Sequence, residues 1–365
     1  MRLGMSEYLS GNYEIGNGTM TITFKGAERT YSRLRIATLA DMPLTVSTTG
    51  FTPAGADEAG EHSYTLTADD KGNAYLYGIF AEGATVSVKQ GDVTLKDYTF
   101  TPEKNPNGTE PGKSYALYAG PKFSVSADKR VLFAPGNLQY TQSTDTWSFA
   151  ENQYDMLGKA NSENGGLADK IDLFCWSTDN GFAPFGVGIS TTDSDYTGNF
   201  VDWGVNQIGD YAPNTWRTLS ADEWTYLFEG RENSESLYGV AQVAGVNGMI
   251  VLPDNWVTPD GITLKTGINP DDLGGVYAKY YPEYQSFSAE QWEQMEAAGA
   301  VFLPAAGDRY GADHIAYDTI NGIYWSSTVV DSTYAYYLCF SAGSLEISEY
   351  GYISAGWAVR LVKDL

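Results

Sequence analysis

The first 120 residues show the alternation of apolar and polar residues that is typical of half-buried β-strands. In residues 19–24, Met20, Ile22 and Phe24 fall on one face of an extended chain. Further strand segments follow at intervals of roughly 10 residues, separated by turns rich in Gly, Asp and Asn, at 34–39, 44–48, 63–67, 74–80, 84–88 and 93–101. No helical period interrupts them. The pattern therefore predicts an antiparallel β-sandwich.

A loop and a boundary follow these strands. Residues 102–113 contain three prolines, two glycines and no large apolar residue, and a last strand is predicted at 114–118. The sequence Ala119-Gly120-Pro121 then has the composition of a linker. We therefore predict two domains, residues 1–120 and residues 121–365.

The second domain combines short strands with two helices. Ser220 with Glu223, and Ser288 with Gln291, have the spacing of a helix-opening capping box, and Gly299 lies where the second helix would end. Apolar strand segments lie between and after the helices, at 249–252, 301–303, 322–325, 335–340 and 357–362. This arrangement predicts an α+β domain within a β-rich chain.

Six phrases of the second domain occur in a fixed order. They are the stretches 133–140 (FAPGNLQY), 216–224 (WRTLSADEW), 252–256 (LPDNW), 302–307 (FLPAAG), 324–327 (YWSS) and 359–362 (VRLV). Together they resemble the Fibrobacter-type major paralogous domain, a relative of the C-type lectin-like and sulfatase-modifying-factor folds of Bacteroides-type cell surfaces. The resemblance implies a C-type lectin-like α+β domain with two main helices.

The first domain is similar to fimbrillin-type pilin domains, which are transthyretin-like β-sandwiches. The strand rhythm and the closing stretch 111–115 (PGKSY) carry this similarity. The two resemblances together imply a cell-surface adhesion protein, a fimbrial tip or accessory subunit. Its partners would be a glycan or a host or bacterial surface protein, and other pilus subunits. They also imply export as a lipoprotein precursor whose leader is absent from this chain.

Charge and hydropathy restrict the choice of partners. The chain has 46 acidic and 22 basic residues, a formal charge of −24, which disfavours binding to nucleic acid and to anionic membrane surfaces. The sequence contains no run of 18 apolar residues, so no transmembrane segment is predicted. No calcium-loop motif occurs, and the acidic stretches 192–195 and 269–272 are interpreted as solvated turns. We predict neither a metal nor a cofactor.

The two cysteines, Cys175 and Cys339, are too few for a zinc site. They could form one disulfide or remain as two buried thiols. Two buried thiols are favoured, because a domain with a large hydrophobic core does not need a disulfide to be stable. The sulfatase-modifying relatives use a closely spaced cysteine pair, whereas Cys339 has no cysteine nearby. We therefore predict that the chain is not an enzyme.

Two other functions stay open. An enzyme could be built on Asp308, Asp313, His314 or Cys339, since histidine, carboxylates and tyrosine gather in residues 308–314. A purely structural pilus subunit is the third possibility. For a binding protein, the candidate ligand contacts are aromatic or imidazole side chains in loose, Gly- and Asp-rich segments, namely Trp203, Trp256, Tyr310, His314, Tyr317, Tyr334, Tyr350 and Tyr352.

Other prominent residues are interpreted as structural. Four tryptophans inside the recognised phrases are expected in the core, where large aromatic side chains bury much area. They are Trp216, Trp224, Trp325 and Trp357. Arg360, in the final strand with apolar neighbours, is expected to form an interior ion pair.

Overall fold

A computed structural model describes residues 4–5, 11–16, 19–24, 30–39, 41–91, 93–103, 105, 107–179, 186–196, 199–268 and 281–365. The chain divides into two compact units, Met1–Pro121 and Lys122–Leu365. Within the described ranges, no helix combines the length and the apolar character that crossing a bilayer requires. Strands dominate both units, so the prediction of a β-rich chain is confirmed.

The described part of the first unit contains eight strands. They are β1 (Gly11–Gly16), β2 (Thr19–Phe24), β3 (Ser32–Ala37), β4 (Pro43–Pro53), β5 (Gly60–Thr67), β6 (Asn73–Gln90), β7 (Val93–Thr99) and β8 (Ser114–Tyr118). β1 and β2 form a hairpin whose side chains lie outside the described part of the chain. The other six strands form one sheet in the order β5-β4-β6-β3-β8, with β7 paired to β6. β3 and β8 run parallel.

One long strand replaces two predicted ones. The segments 74–80 and 84–88 belong to β6, which spans 18 residues because β4 pairs with it on both sides of residues 81–83. β4 accommodates this by a register shift around Gly50, which has a φ of +63°. Alternate residues of β6 are buried, and Phe80 stacks on Phe51 of β4 with ring centroids 4.3 Å apart. The sheet thus covers a single core.

The second unit contains eighteen described strands, most of them short. They are β9 (Phe123–Ser124), β10 (Arg130–Phe133), β11 (Leu138–Thr141), β12 (Thr146–Phe149), β13 (Ser162–Glu163), β14 (Gly166–Leu167), β15 (Lys170–Ile171), β16 (Arg217–Thr218), β17 (Tyr238–Val243), β18 (Val246–Val251), β19 (Ser286–Phe287), β20 (Val301–Pro304), β21 (Asp308–Tyr310), β22 (His314–Ala316), β23 (Gly322–Val329), β24 (Tyr334–Phe340), β25 (Leu345–Tyr352) and β26 (Leu361–Asp364).

Its α-helices are α1 (Ala221–Thr225), α2 (Tyr281–Tyr284) and α3 (Ala289–Ala297). α1 continues into a π-helical turn, Tyr226–Gly230. Five 3₁₀ turns lie in those connections that the structure describes, at Gln142–Thr144, Gly158–Asn161, Asp193–Asp195, Trp203–Val205 and Ser234–Ser236.

The sheets of the second unit are small and mostly antiparallel. Their orders are β16-β26-β10-β9, β12-β11-β15, β19-β17-β18-β20 and β23-β24-β25, with two hairpins, β13-β14 and β21-β22. The late strand β26 lies between β16 and the early strand β10, where Val131 pairs with Asp364. An early strand of the unit, β10, and its last strand, β26, are therefore neighbours.

Both predicted capping boxes are confirmed. Ser220 Oγ accepts from the Glu223 N–H at 3.2 Å, and Glu223 Oε2 accepts from the Ser220 N–H at 3.0 Å. Ser288 and Gln291 make the same reciprocal pair at the start of α3. Gly299, just beyond α3, has a φ of +100°, the left-handed conformation that a helix-ending glycine supplies.

The core of the second unit is rich in aromatic side chains. All four tryptophans of the recognised phrases are buried, which confirms their structural assignment. Trp325 and Trp357 lie 4.0 Å apart between ring centroids, and the Trp325 indole N–H donates to the Phe174 carbonyl at 2.7 Å. These contacts fix the inner face of the β23-β24-β25 sheet.

Candidate functional site: a tyrosine surface

The outer face of the β24-β25 hairpin carries four tyrosines. Tyr334 is paired directly with Tyr352, and Tyr336 with Tyr350, across the two antiparallel strands. Residues two apart in a strand point to the same side, so all four rings share one face. We call this group, Tyr334, Tyr336, Tyr350 and Tyr352, the tyrosine surface.

The four rings contact one another in a row. Ring centroids are 4.9 Å apart for Tyr352 and Tyr334, 5.5 Å for Tyr334 and Tyr350, and 6.3 Å for Tyr350 and Tyr336. The hydroxyl groups of Tyr334 and Tyr352 are also hydrogen bonded to each other. Tyr350 is 54% exposed and Tyr352 47%, whereas Tyr334 and Tyr336 are half-buried. The inner pair thus holds the outer pair in position.

The opposite face of the same strands is anchored in the core. Ala335 is fully buried, and Tyr337 packs on Trp357 with ring centroids 4.5 Å apart. A Cβ on Gly351 would lie 2.4 Å from the Trp357 ring, so only glycine fits between Tyr350 and Tyr352. The tyrosine surface therefore stands on a closely packed support.

Carboxylates border the tyrosine surface. Asp331 Oδ1 accepts from the N–H groups of Thr333 and Tyr334, at 2.7 and 3.0 Å. Asp193 Oδ1 accepts from the Ser354 hydroxyl at 2.8 Å. The hydrogen bond to Tyr352, partial desolvation and these two negative charges raise the pKa of Tyr334 to about 12. Tyr334 therefore stays protonated at neutral pH and can both donate and accept hydrogen bonds.

The structure brings three of the predicted ligand residues together. Tyr334, Tyr350 and Tyr352 belong to the tyrosine surface, and sequence reasoning missed Tyr336. The signal was present as two Tyr-x-Tyr pairs, 334–336 and 350–352, which in paired strands place four rings on one face.

Two predicted tryptophan contacts need different descriptions. Trp203 is completely buried among Phe174 and Phe200, so its assignment as an exposed ligand contact is corrected. The Asp202 carboxylate accepts from the Gly204 N–H and starts the 3₁₀ turn that turns the indole inward. Trp256 is half-buried against the core cluster that includes α3, and its indole N–H donates to Thr258 Oγ1 at 3.1 Å.

The remaining predicted residues lie on and after the hairpin β21-β22. Tyr310 and His314 are directly paired across it, and both are exposed. Tyr317 follows in the left-handed conformation, with a φ of +52°, and is 57% exposed. These side chains belong to a hairpin separate from the tyrosine surface.

Two of the groups that an enzyme could use, Cys339 and Asp308, have raised pKa values. Burial, together with the charges of Glu346 and Asp308, raises the pKa of the Cys339 thiol to about 12, which suppresses the nucleophilic thiolate. Burial also raises the pKa of Asp308, while His314 opposes that effect. Cys175 and Cys339 are unpaired. Within the described residues, no three His, Cys, Asp or Glu side chains gather as a metal site would require.

Of the two acidic stretches, 192–195 contains the 3₁₀ turn Asp193–Asp195, and 269–272 lies outside the described residues. Arg360 corrects another expectation, since its two terminal nitrogens donate to amide oxygens and not to carboxylates. The partners are Asn137 Oδ1 at 3.2 Å and Gln153 Oε1 at 2.5 Å. Because Arg360 is only 1% exposed, its positive charge needs polar partners inside the protein, and the two amide oxygens provide them.

A cavity of about 500 Å³ lies elsewhere in the second unit, near β9. Two of its charged side chains bind the surrounding chain: Arg231 donates to the carbonyls of Leu227 and Leu252, and Asp254 accepts from the N–H and hydroxyl of Ser124. None of the predicted ligand residues lines this cavity.

The tyrosine surface is thus the arrangement of side chains best suited to a partner. No protein-family model, curated protein or solved structure matches this chain.

Proposed function

We propose that the chain is a cell-surface adhesion protein whose second unit binds a glycan through the tyrosine surface. The carrying observation is the row of four tyrosines on a rigid sheet, with Tyr350 and Tyr352 half-exposed. Tyrosine combines a large apolar face with a polar hydroxyl and loses little entropy on binding. Sugar rings present apolar C–H faces edged by hydroxyls, so the two chemistries match.

The proposal extends to the fold of each unit. A C-type lectin-like second unit is supported by two capped helices beside mostly antiparallel sheets. A fimbrillin-like, transthyretin-like sandwich for the first unit is supported by its β-only composition over residues 1–120 as far as they are described. In this proposal the first unit serves as stem and contacts other pilus subunits, at the outer surface of the cell.

Purified full-length protein on an array of glycans and mucins would test the binding function. We expect retention of at least one class of glycan, and loss of it in the double variant Tyr350→Ala/Tyr352→Ala. Tyr310→Ala/Tyr317→Ala is the matched control, because it removes two equally exposed tyrosines from another part of the same unit. Equal binding by both double variants would contradict the assignment.

The array also separates the alternatives. A purely structural subunit would retain no glycan and would bind only other copies or subunits of the pilus. An enzyme would turn over its ligand, and the activity would depend on Asp308, Asp313, His314 or Cys339. The raised pKa of Cys339 weighs against that alternative.

A further inference from the structure

We infer that the tyrosine surface selects uncharged sugars and rejects sulfated or carboxylated ones. This inference rests on the proposed function, since it names the class of glycan that the same surface would take. It follows from the charges around the rings and from the donors that those charges leave available.

The sequence around the surface contains no cation. From residue 315 to residue 359 the chain has no Lys, Arg or His, and its charged residues are Asp318, Asp331, Glu346 and Glu349. This stretch includes all of β23, β24 and β25. Recognition of sulfate or carboxylate relies on Arg and Lys, whose ionised donors make the strongest hydrogen bonds. The sheet that carries the tyrosines supplies none.

The two carboxylates that act on Tyr334 are held in place. Asp331 is fixed by two backbone N–H groups next to Tyr334, and Asp193 is fixed by the Ser354 hydroxyl. Both act on Tyr334 in the same direction, opposing negative charge on its hydroxyl. An anionic substituent of a sugar at this position would meet the same opposition. A pair of like charges about 4 Å apart in water weakens binding about fivefold.

The tyrosine hydroxyls complete the selectivity for neutral sugars. A tyrosine hydroxyl both donates and accepts, so each can exchange hydrogen bonds with a sugar hydroxyl. The formal charge of −24 for the whole chain adds a repulsion at longer range that salt screens. An uncharged glycan avoids both penalties.

A mucin tested before and after enzymatic removal of its sialic acids and sulfates provides a matched pair of ligands. We expect the full-length protein to bind the neutralised mucin at least about fivefold more tightly. Raising the salt concentration to about 1 M, where the screening length is about 3 Å, should strengthen binding of the untreated mucin and leave the neutralised one unchanged. Equal or weaker binding after neutralisation would overturn the inference.

A charge-matched pair of variants separates the local effect from the global one. Asp193→Asn/Asp331→Asn keeps the hydrogen-bond acceptors beside the tyrosines and removes two charges. Asp57→Asn/Glu58→Gln removes two exposed charges from the first unit. We expect only Asp193→Asn/Asp331→Asn to reduce the ratio of the affinity for neutralised mucin to the affinity for untreated mucin. Equal narrowing by both would assign the effect to net charge and overturn selection by the surface.

Failure of the two proposals can be told apart. If neither form of the mucin binds, and the glycan array is also empty, the proposed function itself is wrong. If both forms bind equally and the Tyr350→Ala/Tyr352→Ala variant binds neither, the tyrosine surface binds glycans and the inference about charge is wrong.

Discussion

Asn161 and Asp172 are joined by two hydrogen bonds in the interior of the second unit. Asn161 Nδ2 donates to Asp172 Oδ1 at 2.7 Å, and the Asp172 N–H donates to Asn161 Oδ1 at 2.8 Å. Asp172 Oδ2 also accepts from the Leu157 N–H. Despite these bonds, burial dominates and raises the pKa of Asp172 to about 6.

This raised pKa predicts a pH-dependent loss of stability. The folded-state pKa lies above the ordinary value near 4, so folding favours the protonated acid. The benefit is complete below about pH 4, declines as the pH rises towards 6, and amounts to about 3 kcal/mol. The unfolding free energy of the wild type, relative to Asp172→Asn, should fall by about that amount between about pH 4 and pH 7. The same pH dependence of the unfolding free energy in the wild type and in Asp172→Asn would contradict this prediction. Asp57→Asn, which removes an exposed carboxylate, is the control and should keep the pH dependence of the wild type.

Tyr334 is expected to act as a positioning residue for glycan binding. Tyr334→Phe keeps the ring contacts and removes the hydroxyl bond to Tyr352. The exposed ring of Tyr352 would then lose order, and we expect affinity to fall about two- to tenfold with little change in unfolding free energy. Calorimetric titration with a bound glycan would measure this. Tyr336→Phe removes a hydroxyl from the neighbouring half-buried ring, and an equal loss there would argue against a special role of the Tyr334 hydroxyl.

Arg360 is expected to be essential for stability. Arg360 uses its two terminal nitrogens to bind Asn137 and Gln153 at the same time. Lysine has a single ammonium group in place of the planar guanidinium, so Arg360→Lys leaves buried polar atoms without partners. We expect a loss of about 2–4 kcal/mol in unfolding free energy by chemical denaturation. Arg35→Lys, at an exposed site in β3, should change it by less than about 0.5 kcal/mol. Similar midpoints for both variants would refute the assignment.

The two thiols are expected to react slowly in the folded protein. At pH 8, a Cys339 pKa of about 12 lowers the thiolate fraction by about three orders of magnitude relative to an ordinary cysteine, and Cys175 is fully buried. Labelling with iodoacetamide should therefore be slow until denaturant is added, when both sites react. Rapid labelling of native Cys339 would instead revive the enzymatic alternative.

Local signals in the sequence were sufficient for the helix starts. Ser220 and Ser288 cap helices because a side-chain oxygen three residues from its partner satisfies exposed N–H groups wherever the helix is placed. Tyr350 and Tyr352 were predicted as ligand contacts from their Gly-rich surroundings, and the structure instead places them in the strand β25. Their meeting with Tyr334 and Tyr336 depended on strand register, which the sequence does not state.

The predictions from the sequence were wrong where contacts between residues distant in the sequence determine the structure. Trp203 lies in a Gly- and Asp-rich segment typical of exposed turns, yet the Thr218 N–H and hydroxyl donate to Asp202 and draw the turn inward. Arg360 has apolar neighbours in sequence, and its amide partners are more than 200 residues away. The continuity of β6 through residues 81–83 depended on pairing with β4. Each outcome is a property of tertiary structure.

The pairing of β10 with β26 has a mechanical consequence for an adhesion protein. Val131, near the start of β10, lies opposite Asp364, at the end of β26. Tension between these two points would break the antiparallel hydrogen bonds one after another, a peeling that needs little force. The tyrosine surface lies on β24 and β25, in a different sheet from these two strands. Force applied by a ligand at that surface therefore does not act directly on the hydrogen bonds between β10 and β26.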